Sequence, residues 1–332
     1  MRETRGRTSA PVYNTRASFT SRLAAGLIMS SLALVLVSCV PAAPAGKTPG
    51  GATGNPPPEN PSVDGAQSQQ DSGPPTGPGR SSSRSVPVNS DGKTIEDRFG
   101  TPPGFTRTGA APGSFAEYLR HLPLKSDGAE VHYYDGRVKS NEVHEAVVDI
   151  DVGDRDLQQC ADAVMRLRAE YLYEQGRYDD IHFNFANGFR AEYAKWREGY
   201  RITVTGNRAA WAKTAAAGNA YRDFRRYLDM VFAYANTTSL AAEMKPVDVE
   251  KMAPGDVFID RGHSIIVVDM AENRASGKKI FMLAQSYMPA QDIQILKNPA
   301  NRELSPWYDL DFGDTLHTPE WTFTDRDLKA FD

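Results

Sequence analysis

The stretch PGDVFIDRGHSIIVVDM (254–270) decides the fold class of this chain. Its segment IIVVD is apolar on both faces, which is typical of a strand at the centre of a sheet. Two further runs, KKIFMLAQSY (278–287) and QDIQIL (291–296), also have the composition of strands, and a loop with Asn273 and Gly277 precedes the first of them. The C-terminal part is therefore predicted to form an antiparallel β-sheet.

Two segments upstream of this sheet are predicted to be helices. SFAEYLRHLPLK (114–125) is the shorter one. In DLQQCADAVMRLRAEY (156–171) the apolar residues recur at helical spacing after a cap at Asp154 or Asp156, which puts Cys160 on the buried face of the first turn. We therefore expect an α+β fold in which an N-terminal helical part, with the Cys160 helix, packs on the C-terminal sheet.

An aromatic region separates the Cys160 helix from the sheet. It includes HFNFANGFRAEYAKWREGY (182–200) and the amphipathic helix AYRDFRRYLDMVFAYA (220–235). Side chains at the inward-facing positions of that helix are Tyr221, Phe224, Leu228, Val231 and Phe232. Aromatic residues at this spacing are more often core than ligand platform. The alternative is that Phe183, Tyr193 and Trp196 line a groove for a sugar or a peptide.

The N-terminal residues have the features of a bacterial export signal. Arginines precede the apolar run LAAGLIMSSLALVLV (23–37), which is too short for a comfortable membrane span. The run ends in LVSC (36–39), which resembles the lipobox of bacterial lipoproteins, whose cysteine is acylated. The resemblance implies a signal peptide over residues 1–38 and a lipid anchor on Cys39. The alternative is plain secretion, with cleavage near PAAPAG (41–46).

The composition divides the rest of the chain into a linker and one domain. Residues 39–92 contain few large apolar side chains and are dominated by Pro, Gly, Ser, Gln and Asn, which predicts a disordered tether. Residues 93–332 contain no internal repeat and no second linker, and the segment is long enough to form one globular domain. The net charge is −4, and no basic run lies outside the signal, so we expect no nucleic-acid partner. The predicted location is the cell envelope, anchored to a membrane on its non-cytoplasmic side.

Cysteine usage makes Cys160 a candidate nucleophile. The chain has two cysteines, and acylation of Cys39 would leave Cys160 as the only thiol. An unpaired cysteine in an exported protein suggests a reactive thiol. A position in the first turn of a helix can lower the pKa of a cysteine, because the helix dipole and the free amides stabilise the thiolate. The same position also suits an inert core cysteine.

A cysteine hydrolase also needs an imidazole and a polar group that orients it. His263 stands at the start of the strand IIVVD, and Gln285 or Ser286 follows on the next strand. We expect the sulfur of Cys160 to lie near the His263 ring at the floor of an open cleft. The backbone amide of Cys160, with Gln158 or Gln159, is the expected donor set for the oxyanion.

The pairing of PGDVFI (254–259) with GHSIIVVDM resembles the CHAP-type amidohydrolases and related papain-like enzymes. In those families the second strand opens with the catalytic histidine, here His263, and the third residue lies one strand later, here Gln285. The pair Gln159–Cys160 is similar to the context of the CHAP nucleophile. The resemblance implies a papain-like arrangement. The long gap between Cys160 and His263 and the Ala-Asp-Ala that follows Cys160 depart from the pattern.

A longer resemblance covers most of residues 95–310. The segments that carry it include RFGTPPGF (98–105), HEAVVDIDVGDRDLQQCADAVMRLRAEYLY (144–173), RYDDIHFNFANGFRAEYAKW (177–196), LAQSYMPAQDIQILKNP (283–299) and SPWY (305–308). The chain resembles the bacterial family named domain of unknown function 4846. That resemblance implies an exported, often lipoprotein-type protein, and it implies no activity and no catalytic residues.

Two functional hypotheses follow from these patterns. The first is an envelope-tethered cysteine hydrolase of the amidase or peptidase type, with peptidoglycan peptides as the most accessible substrates. The alternative is a non-catalytic envelope lipoprotein that binds a protein or glycan partner and has a degenerate papain-like fold. We expect no cofactor. We expect no metal site either, because His144 lies on the opposite strand face from the acidic residues of HEAVVDIDVG (144–153).

Overall fold

A computed structural model describes residues 85–332 of the chain. The predicted signal peptide (1–38), the acylation of Cys39 and most of the predicted linker (39–92) lie outside the described residues. Val86, which falls within the predicted linker, is buried in the larger hydrophobic core. Among the helices of residues 85–332, none is long and apolar enough to span a membrane.

The described part contains both helices and strands. The α-helices are α1 (Ile95–Arg98), α2 (Phe115–Arg120), α3 (Cys160–Glu174), α4 (Tyr193–Arg197), α5 (Tyr221–Tyr234) and α6 (Thr237–Glu243). The strands are β1 (Thr106–Arg107), β2 (His144–Val147), β3 (His182–Asn184), β4 (Arg190–Glu192), β5 (Tyr200–Thr205), β6 (Arg208–Lys213), β7 (Lys245–Pro246), β8 (Val257–Asp260), β9 (His263–Asn273), β10 (Lys278–Gln285), β11 (Gln294–Leu296), β12 (Trp307–Asp309), β13 (Leu316–His317), β14 (Thr322–Phe323) and β15 (Leu328–Ala330). Short 3₁₀ helices cover Tyr178–Asp180, Val249–Lys251 and Asp325–Asp327.

The main sheet is antiparallel throughout. Its strand order is β2-β11-β10-β9-β8-β15-β7, with β1 paired to the end of β9 and β12 paired to β10. The strand β9 contains IIVVD and lies between β8 and β10, so the prediction of a central strand is confirmed. Three small hairpins, β3–β4, β5–β6 and β13–β14, stand outside this sheet. The fold class is α+β, as the sequence predicts.

The main sheet is covered on both faces. Ile266 and Val268 of β9 belong to the larger core, to which the helices contribute. Ile265 and Val267 alternate with them and belong to a second core on the other face, which the C-terminal residues cover. Because side chains of a strand point alternately to opposite faces, this double burial explains why IIVVD is apolar throughout.

The helix α3 packs on β9 from the side of the larger core. It begins later than predicted, because Gln159 is its N-cap and Cys160 is its first residue. The predicted caps Asp154 and Asp156 are therefore wrong. One oxygen of Asp156 instead accepts hydrogen bonds from the Gln159 side chain and from the backbone amide of Ala290, which turns it away from the helix start.

The aromatic region belongs to the hydrophobic core, as the helical spacing of its aromatic residues predicts. Phe183, Tyr193 and Trp196 are buried, and Phe224, Leu228, Val231 and Phe232 of α5 face the same core. The predicted inward position of Tyr221 is wrong, because its side chain is 47 % exposed. Tyr227 of the same helix is buried in this core instead. The groove formed by Phe183, Tyr193 and Trp196 is thus not a surface of the described structure.

Candidate active site

Cys160 lies at the start of α3, against the backbone that flanks His263. Its thiol donates to the carbonyl oxygen of Gly262, with a sulfur–oxygen distance of 3.5 Å, and it also interacts with the backbone of Ser264 and the hydroxyl of Thr237. The residue is only 4 % exposed. Burial raises the pKa of the Cys160 thiol above its ordinary value, although the hydrogen bonds from Ser264 and Thr237 oppose this shift. The expectation of a lowered pKa at the helix start is therefore wrong, since desolvation outweighs the helix terminus.

His263 is the first residue of β9 and follows a tight turn. Arg261 has φ 43° and Gly262 has φ 111°, which reverses the chain between Asp260 and its paired residue His263. Two consecutive residues with positive φ are the geometry of a two-residue hairpin turn, in which an arginine is unusual. The turn presents His263 at the very end of the sheet, where the sequence places it.

The imidazole of His263 is held by Gln285. The Nε2 atom of the ring lies 3.0 Å from Oε1 of Gln285, the last residue of β10. The pairing of Ala284 with Ile266 brings the ends of β9 and β10 together, so the two side chains share one face. Burial lowers the pKa of His263 to about 4, and the hydrogen bond that its ring donates to Gln285 opposes that shift. The ring is therefore neutral near pH 7.

Ser286, the other predicted partner of the imidazole, has a different role. Its hydroxyl interacts with the backbone oxygens of Gln158 and Gln291, at 3.0 Å and 2.8 Å. It joins the segment before α3 to the segment after β10. The structure thus brings Gln285, and not Ser286, to the histidine ring.

The His263 ring lies on the face of β9 that carries the second core. The ring centroid lies 5.3 Å from that of Trp321 and 6.0 Å from that of Phe323, which belong to the second core. α3 packs on the other face, and within residues 85–332 no hydrogen bond joins the sulfur to the ring. His263 is only 1 % exposed. Cys160 and His263 are therefore both buried in the described structure, whereas an open cleft would expose them, and the contact between sulfur and ring stays a prediction.

The sequence model of the family described as domain of unknown function (4846) matches residues 95–330. The chain belongs to this family. The matched range contains both Cys160 and His263 and ends two residues before the C-terminal residue of the sequence. No curated protein and no solved structure matches the chain. Residues 95–330 are called the 4846 domain below.

The two predicted oxyanion donors of the 4846 domain differ in what their side chains do. The amide nitrogen of Gln159 donates to Asp156 at 3.0 Å, so it is already engaged. The amide oxygen of Gln158 accepts from Arg166 at 2.6 Å, while its buried amide nitrogen has no hydrogen-bond partner among the described residues. Gln158 therefore has the unengaged N–H group of the pair.

Sequence reasoning missed three residues of this site. Glu320 accepts from the amide nitrogen of Gln285, and Lys139 donates to the same carboxylate oxygen, both at 2.6 Å. The ring of Tyr287 lies 4.7 Å from that of His263. Burial, with a contribution from Glu320 and from Cys160, raises the pKa of the Tyr287 hydroxyl. Tyr287 is thus next to the histidine and within the electrostatic range of the thiol.

No local signal in the sequence identifies these residues. Lys139 and Glu320 lie 181 positions apart and in separate loops. Glu320 stands in the run Thr-Pro-Glu-Trp, which has turn-forming composition but nothing that directs its carboxylate toward β10. Tyr287 follows the strand run directly, and its position opposite His263 depends on the register of β9 and β10.

Proposed function

We propose that the 4846 domain is a cysteine hydrolase in which Cys160 is the nucleophile and His263 is the general base. The observation that carries this proposal is the hydrogen-bonded series from Lys139 through Glu320 and Gln285 to His263. A series of buried polar groups that ends on one nitrogen of an imidazole is the device that orients a catalytic histidine. The helix α3 on an antiparallel sheet that carries His263 and Gln285 also fits a papain-like arrangement.

The proposed reaction begins from a neutral pair. Burial raises the pKa of Cys160 and lowers that of His263, so the resting groups are a thiol and an imidazole. The sulfur attacks the carbonyl carbon of an amide or ester, and its proton passes to Nδ1 of His263. The tetrahedral intermediate collapses when the imidazolium returns that proton to the leaving amine or alcohol. Water, deprotonated by the same ring, then hydrolyses the thioester and releases the carboxylic acid and the free thiol.

Two groups near the helix start are suited to hold the oxyanion. The backbone amide of Cys160 belongs to the first turn of α3, where amides have no partner within the helix. The unengaged amide nitrogen of Gln158 is the second donor, because Arg166 fixes the opposite end of that side chain.

The proposal requires the described state to open. Sulfur and ring are both buried, and the thiol donates to the carbonyl of Gly262, so this hydrogen bond has to break before the thiol can give its proton to Nδ1. Tyr287 and Trp321 cover the ring and are the side chains that a substrate has to displace. Entry of a substrate is then coupled to activation of the thiol.

The proposed setting is the cell envelope. A lipid on Cys39 would anchor the protein to a membrane, and residues between the anchor and the 4846 domain would act as a tether. Peptidoglycan peptides are the amides most accessible to an enzyme in that position. This setting involves a membrane contact through the lipid and no nucleic acid.

A second candidate function has its own supporting observation. Cys160 and His263 are both almost fully buried, and no hydrogen bond joins their side chains among residues 85–332, which also suits residues of a core. In that case the protein is a non-catalytic envelope lipoprotein that binds a protein or a glycan. Its Cys160 and His263 would be remnants of a papain-like arrangement.

Turnover of purified peptidoglycan separates the two candidates. We compare the wild type with Cys160→Ala, and we use Cys39→Ser as the matched control because it removes the other cysteine. The hydrolase predicts that wild type and Cys39→Ser release new amino groups, whereas Cys160→Ala is slower by roughly a thousandfold or more. Equal turnover by Cys160→Ala overturns the assignment of the nucleophile. Absence of turnover by the wild type on peptidoglycan and on small peptide and ester substrates overturns the hydrolase and supports the binding protein.

A further inference from the structure

The side-chain amide of Gln285 is held at both ends. Its oxygen faces Nε2 of His263 at 3.0 Å, and its nitrogen faces a carboxylate oxygen of Glu320 at 2.6 Å. The two ends of a glutamine amide have nearly the same shape, so the shape of the site does not decide which end faces the ring. Hydrogen bonding decides it, because a carboxylate only accepts and Gln285 must therefore turn its N–H group toward Glu320.

This orientation fixes the proton on the ring. With its oxygen toward His263, Gln285 can only accept, so Nε2 must carry the hydrogen. A neutral imidazole has one N–H group, and Nδ1 is then the nitrogen with the free electron pair. Nδ1 is the atom that the proposed reaction needs as a base. The tautomer of His263 thus follows from the acceptor character of Glu320.

Lys139 contacts the same oxygen of Glu320. Its ammonium lies 2.6 Å from the oxygen that Gln285 also contacts, and the Lys139 side chain is 4 % exposed. Burial lowers the pKa of Lys139, while the hydrogen bond and charge of Glu320 oppose that shift. Because an ammonium can only donate, this oxygen of Glu320 accepts from both of its neighbours.

The hairpin β13–β14 holds Glu320 in place. Leu316 and Phe323 anchor its two strands in the second core. Between the strands, the backbone amide of Thr318 donates to the carbonyl of Trp321, so Pro319 and Glu320 form a short loop between two hydrogen-bonded residues. The Glu320 carboxylate is therefore carried on a loop whose two strands are held in the second core.

We propose that Glu320 is a positioning residue that sets the tautomer of His263 through Gln285. The catalytic meaning of this role rests on the proposed function. The tautomer itself is a property of the folded protein whether or not the protein is an enzyme.

The test measures the tautomer directly, by nuclear magnetic resonance of the full chain with ¹⁵N-labelled histidine at neutral pH. The chain has six histidines, and the spectrum of His263→Gln identifies the signals of His263. The wild type is expected to show only the tautomer with hydrogen on Nε2. Glu320→Ala should populate the other tautomer, and Glu320→Gln should do so less, because a glutamine oxygen can still accept from Gln285. Glu198→Gln, at an exposed glutamate, is the matched control and should leave the spectrum unchanged.

Two results would overturn the positioning role. One is a wild-type His263 with hydrogen on Nδ1, and the other is a Glu320→Ala protein that keeps the wild-type tautomer. The nearly isosteric Glu320→Gln preserves the test if Glu320→Ala does not fold. If the wild type hydrolyses a substrate, Glu320→Ala should also lower kcat roughly tenfold or more with little change in KM. If the wild type hydrolyses nothing, the proposed function fails and the tautomer still decides this inference.

Discussion

The Cys160 sulfur lies 3.5 Å from the carbonyl oxygen of Gly262, the residue that precedes His263. The thiol is therefore in contact with the backbone that leads into His263. Burial raises the pKa of the thiol and lowers that of the imidazole, so both groups are neutral near pH 7. This burial has measurable consequences.

The Cys160 thiol should react slowly in the folded protein. In a Cys39→Ser chain it is the only thiol, and it is 4 % exposed with a raised pKa. We expect iodoacetamide at neutral pH to label it more slowly than free cysteine, and to label it at the free-cysteine rate in denaturant. Labelling of the native protein that is as fast as free cysteine would contradict a closed resting state.

The hydroxyl of Thr237 should lower the pKa of the Cys160 thiol. Its hydroxyl forms a hydrogen bond that lowers the pKa of Cys160 against the effect of burial. Thr237→Val keeps the shape of the side chain and removes the hydroxyl, so the pKa of Cys160 should rise further. The pH dependence of labelling measures this shift. Thr203→Val, in the exposed hairpin β5–β6, is the control, and a curve for Thr237→Val that matches this control would show that Thr237 does not act on the thiol.

His263 should make the folded protein sensitive to mild acid. Its pKa is about 4 in the folded protein, below the ordinary value of 6.5, because burial disfavours the charged ring. The unfolded chain then binds more protons between these two values, so the stability that His263 contributes is present above pH 6.5 and is lost as the pH falls toward 4. The loss amounts to about 3 kcal/mol in the free energy of unfolding.

Urea denaturation at several pH values measures this contribution. The free energy of unfolding of wild type should fall between pH 6.5 and pH 4 by more than that of His263→Gln, which has no titrating ring. The comparison is made as a difference because buried Asp162, whose pKa is raised to about 8, changes the stability in the opposite direction over the whole of this range. Parallel curves for the two proteins would show that the ring is not held neutral.

Asp269 should be a major determinant of stability. It is fully buried on β9, and its two oxygens accept from Arg107 at 2.6 Å and from Arg120 at 2.8 Å. Asp269→Ala leaves two largely buried guanidinium groups without their anion, so the free energy of unfolding should fall by about 3–5 kcal/mol. Asp248→Asn, which breaks an exposed pair with Lys251, should leave the denaturation midpoint unchanged. A small effect of Asp269→Ala would mean that water enters and solvates the two arginines.

Four strands of the nine-stranded main sheet could be predicted because they have strong local patterns. PGDVFI, GHSIIVVDM, KKIFMLAQSY and QDIQIL contain β8, β9, β10 and β11. The start of α3 could not be placed, since Asp154, Asp156 and Gln159 all suit a cap and only a contact with the distant Ala290 turns Asp156 away. The prediction that Tyr221 points inward is wrong for a similar reason, because the packing around α5 buries Tyr227 instead.

The local patterns of the sequence predict the α+β class, the central strand and the location of Cys160 and His263 at the ends of their elements, because periodicity and turn chemistry are local properties. Which residues meet depends on the tertiary structure. It chose Gln285 over Ser286 and brought Glu320 and Lys139 to the histidine, through strand register and loop packing that no local pattern encodes. It also buried both the thiol and the ring. The sign of a pKa shift depends on that burial, which is why a helix start that favours a thiolate in isolation holds a neutral thiol in the folded protein.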